Sequence, residues 1–404
     1  MDSVKIPNLF KDKANCCGCE ACKNICPRNA IFMYEDEFGF SYPAIDDSLC
    51  IRCGKCTKVC AFQKIDETNN PIGAYAAISK NRAQAGESAS GGVFAALAEK
   101  MIYDDGVVFG AAFTEDYGVE HICIDKVSGL SCLQGSKYVQ SRLGNSYQDV
   151  KKFLQEGKNV LFSGTPCQVA GLNAYLGRKY DNLFTIDIIC HGVPSQKLFQ
   201  SYLHYNEKKY NGILKFFSFR DKRKGWGING RMIVKTRNGK EKNVTLWQSG
   251  CSYLFYFIKG WIYRENCYHC KYASKNRPGD ITIGDFWGIE KQHPNYIGRR
   301  GWDERDGISS IIVNTNKGND LLKKYGNVLE MKKSSFNDIA IGNAQLNAPC
   351  IEPPERKKVL TLFEMDGWAG IEKYYDSIIG MKKYGSFIKS LMPNSIKRWI
   401  KGKI

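Results

Sequence analysis

From residue 73 onward, short apolar runs alternate with longer stretches in which apolar residues recur every three or four positions. That rhythm predicts strands followed by helices, as in βαβ units. Strands are expected at 74–79, 107–113, 159–163, 183–190, 281–284 and 308–314, and helices at 91–103, 147–156, 166–177 and 195–208. Together they predict an α/β domain with a mixed, mainly parallel sheet. Between roughly 213 and 250 the runs ILKFFSF, GRMIVKT and NVTLWQ alternate with Gly-rich and basic turns, which predicts an antiparallel insertion or edge. Before residue 66 the pattern differs. Ile31 to Tyr34 and Phe38 to Phe40 read as a short hairpin, and the polar run DETNNP at 66–71 reads as a linker.

The hairpin lies between two copies of one cysteine spacing. The first is Cys16-x2-Cys19-x2-Cys22-x3-Cys26-Pro27, and the second is Cys50-x2-Cys53-x2-Cys56-x3-Cys60. In a dicluster ferredoxin the first three cysteines of one run and the fourth of the other hold one 4Fe-4S cubane. The spacing thus assigns Cys16, Cys19, Cys22 and Cys60 to one cluster, and Cys50, Cys53, Cys56 and Cys26 to the other. Two intervening residues let successive thiolates converge on one small core while freeing backbone N–H groups for its sulfides. A pair of zinc knuckles is the alternative, but a zinc site has no use for a third evenly spaced cysteine in each run. Ala61 stands where the first run has Pro27, and Cys17 is an extra, free cysteine. The expected fold class is an α+β ferredoxin-like dicluster domain followed by the α/β domain. Residues 1–65 form the first, 66–72 the linker, 73–365 the second, and 366–404 a basic amphipathic tail.

Composition narrows this picture. The chain has 404 residues, 43% of them hydrophobic, which allows two or three domains with a sizeable core. The start, MDSVKIPNLF, lacks a basic stretch followed by an apolar run, and no segment approaches about 18 uninterrupted apolar residues, so neither a secretory signal nor a spanning helix is expected. Seventeen cysteines, many in iron-binding spacing, point to a reducing cytoplasm. A formal net charge of +17 by itself suggests a polyanionic partner. Each cubane with its thiolates would subtract about two charges. No nucleic-acid module is legible, so a basic docking face for an acidic redox partner is expected instead.

Glu87-Ser88-Ala89-Ser90-Gly91-Gly92 precedes the apolar helix VFAALAEKMI. Small residues opening a helix leave its N–H groups free for a phosphate, while a serine cap with a glycine turn is the plainer alternative. GSKY at 135–138 brings in Lys137. NVLFSGTPCQVAGL reads as a strand, a tight turn and a helix with Cys167 in its first turn, where the dipole favours a thiolate. Cys190 ends LFTIDIIC at the carboxyl end of a strand, where ligand crevices form. Cys267 and Cys270 add one more C-x2-C. With Cys167 and Cys190 they number enough for a third 4Fe-4S cluster; a zinc site or no metal are the alternatives.

The succession SASGG, GSKY, SGTPCQ, CHG, C-x2-C and GDITIGDFWG, downstream of the double cysteine run, resembles the beta-subunit family of coenzyme F-420 hydrogenases and dehydrogenases over about residues 12–315. The resemblance implies a flavin, usually FAD, beside iron-sulfur clusters. It implies that electrons pass between a deazaflavin hydride carrier and one-electron centres. By the same resemblance Ser90, Gly91, Gly92 and Lys137 lie near the flavin, and Cys167, Cys190, Cys267 and Cys270 hold the proximal cluster. No catalytic residue is singled out. His121 and His204 read as surface or packing residues, His191 and His269 sit beside cluster ligands, and Asp285 either orients the site or caps a turn.

A flavin accepts a hydride and releases electrons singly, so it would convert two-electron to one-electron flow. One reading is therefore a flavin- and iron-sulfur-dependent oxidoreductase working between a hydride carrier and a redox partner or catalytic subunit. The other is an electron-transfer adaptor without hydride chemistry, serving a partner enzyme such as one in polysaccharide biosynthesis. GDFWGIE and the basic tail resemble the branch of the family that has such partners. From about 371 to 404 basic and apolar residues interleave, which suits an anionic membrane, a partner, or packing as a terminal helix on the chain's own domain.

Overall fold

The structure, a computed structural model, describes residues 6–63, 68–298 and 301–392. In the N-terminal unit β1 (Ile31–Glu35) and β2 (Ser41–Ile45) pair antiparallel, with Ile31 opposite Ile45 and Glu35 opposite Ser41. The second strand thus begins after Phe38 and Phe40, which belong to the turn. The reason is Asp36, whose carboxylate accepts the N–H groups of both phenylalanines, while Gly39 takes φ +80°. Pro43 is tolerated because this sheet has only two strands and each has a free edge.

The main domain is an eight-stranded sheet. Its strands are β3 (Gly73–Ser79), β4 (Val107–Phe113), β5 (Val119–Ile124), β6 (Val160–Gly164) and β7 (Leu183–Ile188). Three more strands, β8 (Gly212–Ser218), β9 (Gly230–Thr236) and β10 (Glu241–Leu246), form a separate antiparallel sheet from the expected insertion. The large sheet is completed by β11 (Ile281–Asp285), β12 (Ser309–Val313) and β13 (Leu329–Lys333). Its order is β13-β3-β12-β11-β7-β6-β4-β5. The central run β11-β7-β6-β4 is parallel and the other pairs are antiparallel. Strands β3, β4, β6, β7 and β11 therefore share one direction.

The inner strands are buried on both faces because helices cover both. On one face Val93–Tyr103 and Asn316–Tyr325 pack Leu97, Met101 and Leu321 against Leu161, Ile186 and Ile281. On the other, Ser146–Gln155 and Pro166–Leu176 bring Val150, Val169 and Leu172 onto Val160 and Phe162. Cys17 and Cys19 belong to this second core. The N-terminal unit is thus packed into the main domain.

The three-stranded sheet shares a core with the helices Gln196–Tyr210 and Glu355–Ile379. The latter bends at Gly367 (φ +60°) and crosses the expected boundary between 365 and 366. It buries Trp368, Ile371 and Tyr375, so the first part of the expected tail packs on its own domain. Lys397, Arg398, Lys401 and Lys403 lie outside the described residues, as do residues 66 and 67 of the linker. Among the described residues no helix is long and apolar enough to cross a membrane.

Asp187 on β7 is fully buried and meets the buried Arg277 at 2.7 Å. It also accepts the Gly279 N–H and the Thr282 hydroxyl. Replacing one partner strands the other charge in a dry interior. Arg277→Met should cost about 3–5 kcal/mol, read as a lower denaturant midpoint of the anaerobically prepared protein; an unchanged midpoint would show that the pair does not hold β7 to β11.

Candidate functional site

The two cysteine runs fold into the same backbone. The residues flanking the second cysteine of each are left-handed: Gly18 (φ +66°) and Glu20 (φ +57°), then Arg52 (φ +57°) and Gly54 (φ +68°). Each leads into one helical turn carrying the third cysteine, Ala21–Asn24 with Cys22 and Lys55–Lys58 with Cys56. This winding aims N–H groups at sulfur. Gly18, Ala21 and Lys23 donate to Cys16, Cys19 and Cys22, Ala30 donates to Cys26 at 3.3 Å, and the Gln63 amide donates to Cys60 at 3.3 Å. Such donors stabilise negative charge on the sulfurs.

Cys16, Cys19, Cys22 and Cys60 lie within electrostatic reach of one another. Burial pushes the Cys22 thiol well above its ordinary range, with the neighbouring cysteines adding to it. Cys26, Cys50, Cys53 and Cys56 line one small cavity open to the surface. Cys53 is exposed there, whereas Cys19 is buried. All seventeen cysteines are free of disulfides. Among the described residues no three His, Cys, Asp or Glu side chains converge tightly enough for a single metal ion. Four thiols per group with backbone donors aimed at sulfur are the ligand chemistry of a cubane.

The third group converges from three directions. Cys167 opens the helix Pro166–Leu176, which Thr165 and Gln168 cap reciprocally. Cys190 follows β7, and Cys267 and Cys270 flank the end of the turn Glu265–His269. Cys190, Cys267 and Cys270 sense Cys167 and one another. Burial pushes Cys190 up to about 12 and Cys270 up to about 11. Thiols raised in this way ionise against a strong positive centre such as iron.

Cys17 stands between the first and third groups. Its buried thiol packs in one core with Cys19 and Cys167, and their proximity together with burial raises it well above the ordinary range. Cys167 falls in turn to about 7, chiefly through Cys17 and then through the Thr165 hydroxyl. A Cβ on Gly171 would lie 3.0 Å from Cys19 Sγ, so glycine lets the helix lie flush on the cysteine loop. Arg264, fully buried, donates to Cys16 O at 2.8 Å and Ser41 O at 2.9 Å and stacks 4.0 Å from the Tyr42 ring.

Beside the third group is a polar site of which sequence reading named Asp285 but not Arg220 or Trp226. Arg220 donates to Asp285 at 2.8 and 3.2 Å, to Tyr138 Oη at 3.2 Å and to Ala89 O at 2.9 Å. Asp285 also accepts Trp226 Nε1 at 2.7 Å, and Trp226 stacks on Trp287 at 4.7 Å. Asp285 thus holds Arg220 and Trp226 in place and does more than cap a turn. Tyr138 stacks on Phe257 at 4.3 Å, next to His191 and Cys267. Burial lowers the His191 imidazole despite the pull of Asp285. His269 and His204 are exposed. His121 is a packing residue, held by Ser141 and Ser163 and pushed down to about 4 by burial.

The residues expected near a flavin border this site. Ser90 Oγ is buried without a hydrogen-bond partner, and Lys222 Nζ binds Ser90 O and Ala85 O. Lys137 is half-buried with its amine on Cys132 O and Gln134 O, and desolvation lowers it to about 7. Gly91 and Gly92 have a packing reason. A Cβ on Gly91 would collide with Ala77 O and Ser309 N, and Gly92 sits at φ +79° against Ala85. An unpaired buried hydroxyl, cationic groups and stacked aromatic rings fit a phosphate-bearing, planar-ring cofactor such as a flavin.

Residues 157–345 match the family described as the C terminus of the coenzyme F420 hydrogenase/dehydrogenase beta subunit. Residues 15–64 match the 4Fe-4S dicluster domain. Among solved structures the chain is similar to one from the F420-reducing NiFe hydrogenase complex of Methanosarcina barkeri, in a xenon-derivatized form. That likeness has 16% identity and a TM-score of 0.41, and covers 77% of this chain and 94% of the other. No curated protein matches the chain.

Cys17→Ala removes the polar S–H that packs beside Cys19 and Cys167 while deleting none of the cysteines expected as ligands. It should leave iron content unchanged and shift a midpoint potential downward in an EPR-monitored redox titration, because hydrogen bonds to sulfur favour the reduced, more negative state. Loss of about four irons would instead make Cys17 a ligand.

Proposed function

We propose, from the match of residues 157–345 to the C terminus of the coenzyme F420 hydrogenase/dehydrogenase beta subunit and of residues 15–64 to a 4Fe-4S dicluster domain, that the chain is an iron-sulfur flavoprotein oxidoreductase. Its work is to link a two-electron hydride carrier, coenzyme F-420 or a similar molecule, to one-electron transfer with a partner protein or catalytic subunit. The observation that carries this reading is that Cys17 and Cys19 pack in one core with Cys167, with Cys19 flush against the helix that Cys167 opens, which brings the first cysteine group against the third. Groups three, one and two then stand in series from the interior beside Asp285 to the exposed Cys53.

Cys16, Cys19, Cys22 and Cys60 would hold one cubane, Cys26, Cys50, Cys53 and Cys56 a second, and Cys167, Cys190, Cys267 and Cys270 a third. When bound, cubanes supply one-electron transfer and a flavin supplies exchange between hydride and single electrons. The chain's own residues do the rest. Arg220 and Asp285 lock each other and the Ala89 carbonyl, which fixes the loop carrying Ser90. Lys137 donates to the Cys132 and Gln134 carbonyls, which keeps its amine at the edge of the site. Tyr138, Phe257 and Tyr263 keep water from the third group.

A second reading has its own support. Gly91 and Gly92 are used by packing, and Arg220 and Lys222 already bind main-chain carbonyls, as suits an adaptor that relays electrons without hydride chemistry. Counting iron, sulfide and flavin per chain after anaerobic purification separates the two. Twelve ligand cysteines predict about twelve irons, together with flavin. About eight irons would remove the third group from the account, and full iron without flavin would favour the adaptor. Cys267→Ser should lower the count by about four and leave the N-terminal pair intact; an unchanged count would show that Cys267 is no ligand.

A further inference from the structure

The cavity lined by Cys26, Cys50, Cys53 and Cys56 is rimmed by Arg28, Arg52 and Lys55, and among the described residues no carboxylate lines it. All three cations are exposed. None has a side-chain partner among the described residues, whereas in the same unit Lys13 pairs with Asp36 and Lys23 with Glu20. The neighbouring acid Asp46 turns its carboxylate onto Ser48, through both N–H and hydroxyl. Leu49 and Ile51, flanking Cys50, are 43% and 59% exposed.

The internal repeat shows how this face differs from its counterpart. In the first run the left-handed position is Gly18, and a Cβ there would lie 2.7 Å from Gln140 Nε2 because the main domain covers it. In the second run the same position is Arg52 at φ +57°, which is exposed. One face of the repeat is used for docking inside the chain and its counterpart is left open.

We propose that this open face, with apolar Leu49 and Ile51 beside the cations Arg28, Arg52 and Lys55, docks a small acidic one-electron carrier protein of the ferredoxin kind. The inference rests on the proposed route and names the partner at its surface end. Each encounter transfers one electron from the reduced second group to the oxidised iron-sulfur centre of the carrier, and no bond or proton changes hands. Complementary charge chiefly speeds encounter and is weakened by salt. A second copy of this chain would present like charge, which disfavours it as the occupant.

The test uses the full-length anaerobic protein and an Arg28→Glu, Arg52→Glu, Lys55→Glu triple variant, with a triple Gln variant beside it. Binding of an acidic dicluster ferredoxin to the oxidised protein is measured by calorimetry at about 20 and about 300 mM salt. Transfer from dithionite-reduced, desalted protein is followed by stopped flow, to that ferredoxin and to the dication methyl viologen. Salt should weaken wild-type binding at least about tenfold. The Glu variant should slow ferredoxin reduction at least about tenfold while speeding viologen reduction, with the Gln variant between. Opposite signs for the two acceptors cannot arise from a damaged centre. Equal slowing of both acceptors in both variants, indifference of ferredoxin binding to salt, or salt-dependent binding to phosphatidylglycerol vesicles with none to ferredoxin would each overturn the docking assignment. A wild-type protein that reduces neither acceptor would instead overturn the route.

Discussion

The seam between the first cysteine run and the helix Pro166–Leu176 is the constraint on which the rest depends. Gly171 lets the helix lie against Cys19. Glu20, buried in its left-handed turn, accepts the Leu143 N–H at 2.9 Å, and Asn24 donates to Gly144 O at 2.9 Å. Arg264, 248 positions along the chain, donates to Cys16 O. Each of these groups is polar and lies in a dry interface, so a shift of the unit by one residue would strand several hydrogen-bonding atoms at once. The register between the first and third cysteine groups is set by that penalty.

From the seam outward the environment of sulfur changes. The first and third groups are enclosed by apolar and aromatic side chains, and burial raises most of their thiols. The second group has exposed Cys53 and a cationic rim. Burial and hydrogen bonding to sulfur are the protein's means of setting iron-sulfur potentials. The sulfur environment therefore runs from dry in the first and third cysteine groups to wet in the second. The polar site around Asp285 lies at the dry end, where charged hydrogen bonds are strongest.

Much of this was legible in the chain. The inner strands carry continuous apolar runs, and β3, β4, β6 and β7 begin within a residue of their expected positions. Strands β5 and β13, on the edges, mix charges into their alternation and escape a reading by pattern. The observed hairpin is displaced from the expected one because Phe38 and Phe40 look like strand residues, while the Asp36 turn that claims them depends on geometry. Cysteine spacing within each run is local and readable. The Arg220–Asp285 pair joins residues 65 positions apart, and Arg220 to Ala89 spans 131, so no local pattern announces them. Gly91 shows the limit of reading glycine as a ligand cradle, since its neighbours are the backbones of β3 and β12.

The central claim is that the first and third groups are neighbours through Cys17 and belong to one route. Spin–spin interaction between their reduced centres tests it most directly, by multifrequency EPR on the fully reduced anaerobic protein. The account predicts a spectrum broadened by magnetic coupling, with the coupling to the third centre lost in Cys267→Ser. A wild-type spectrum that is the plain sum of three independent centres would contradict it.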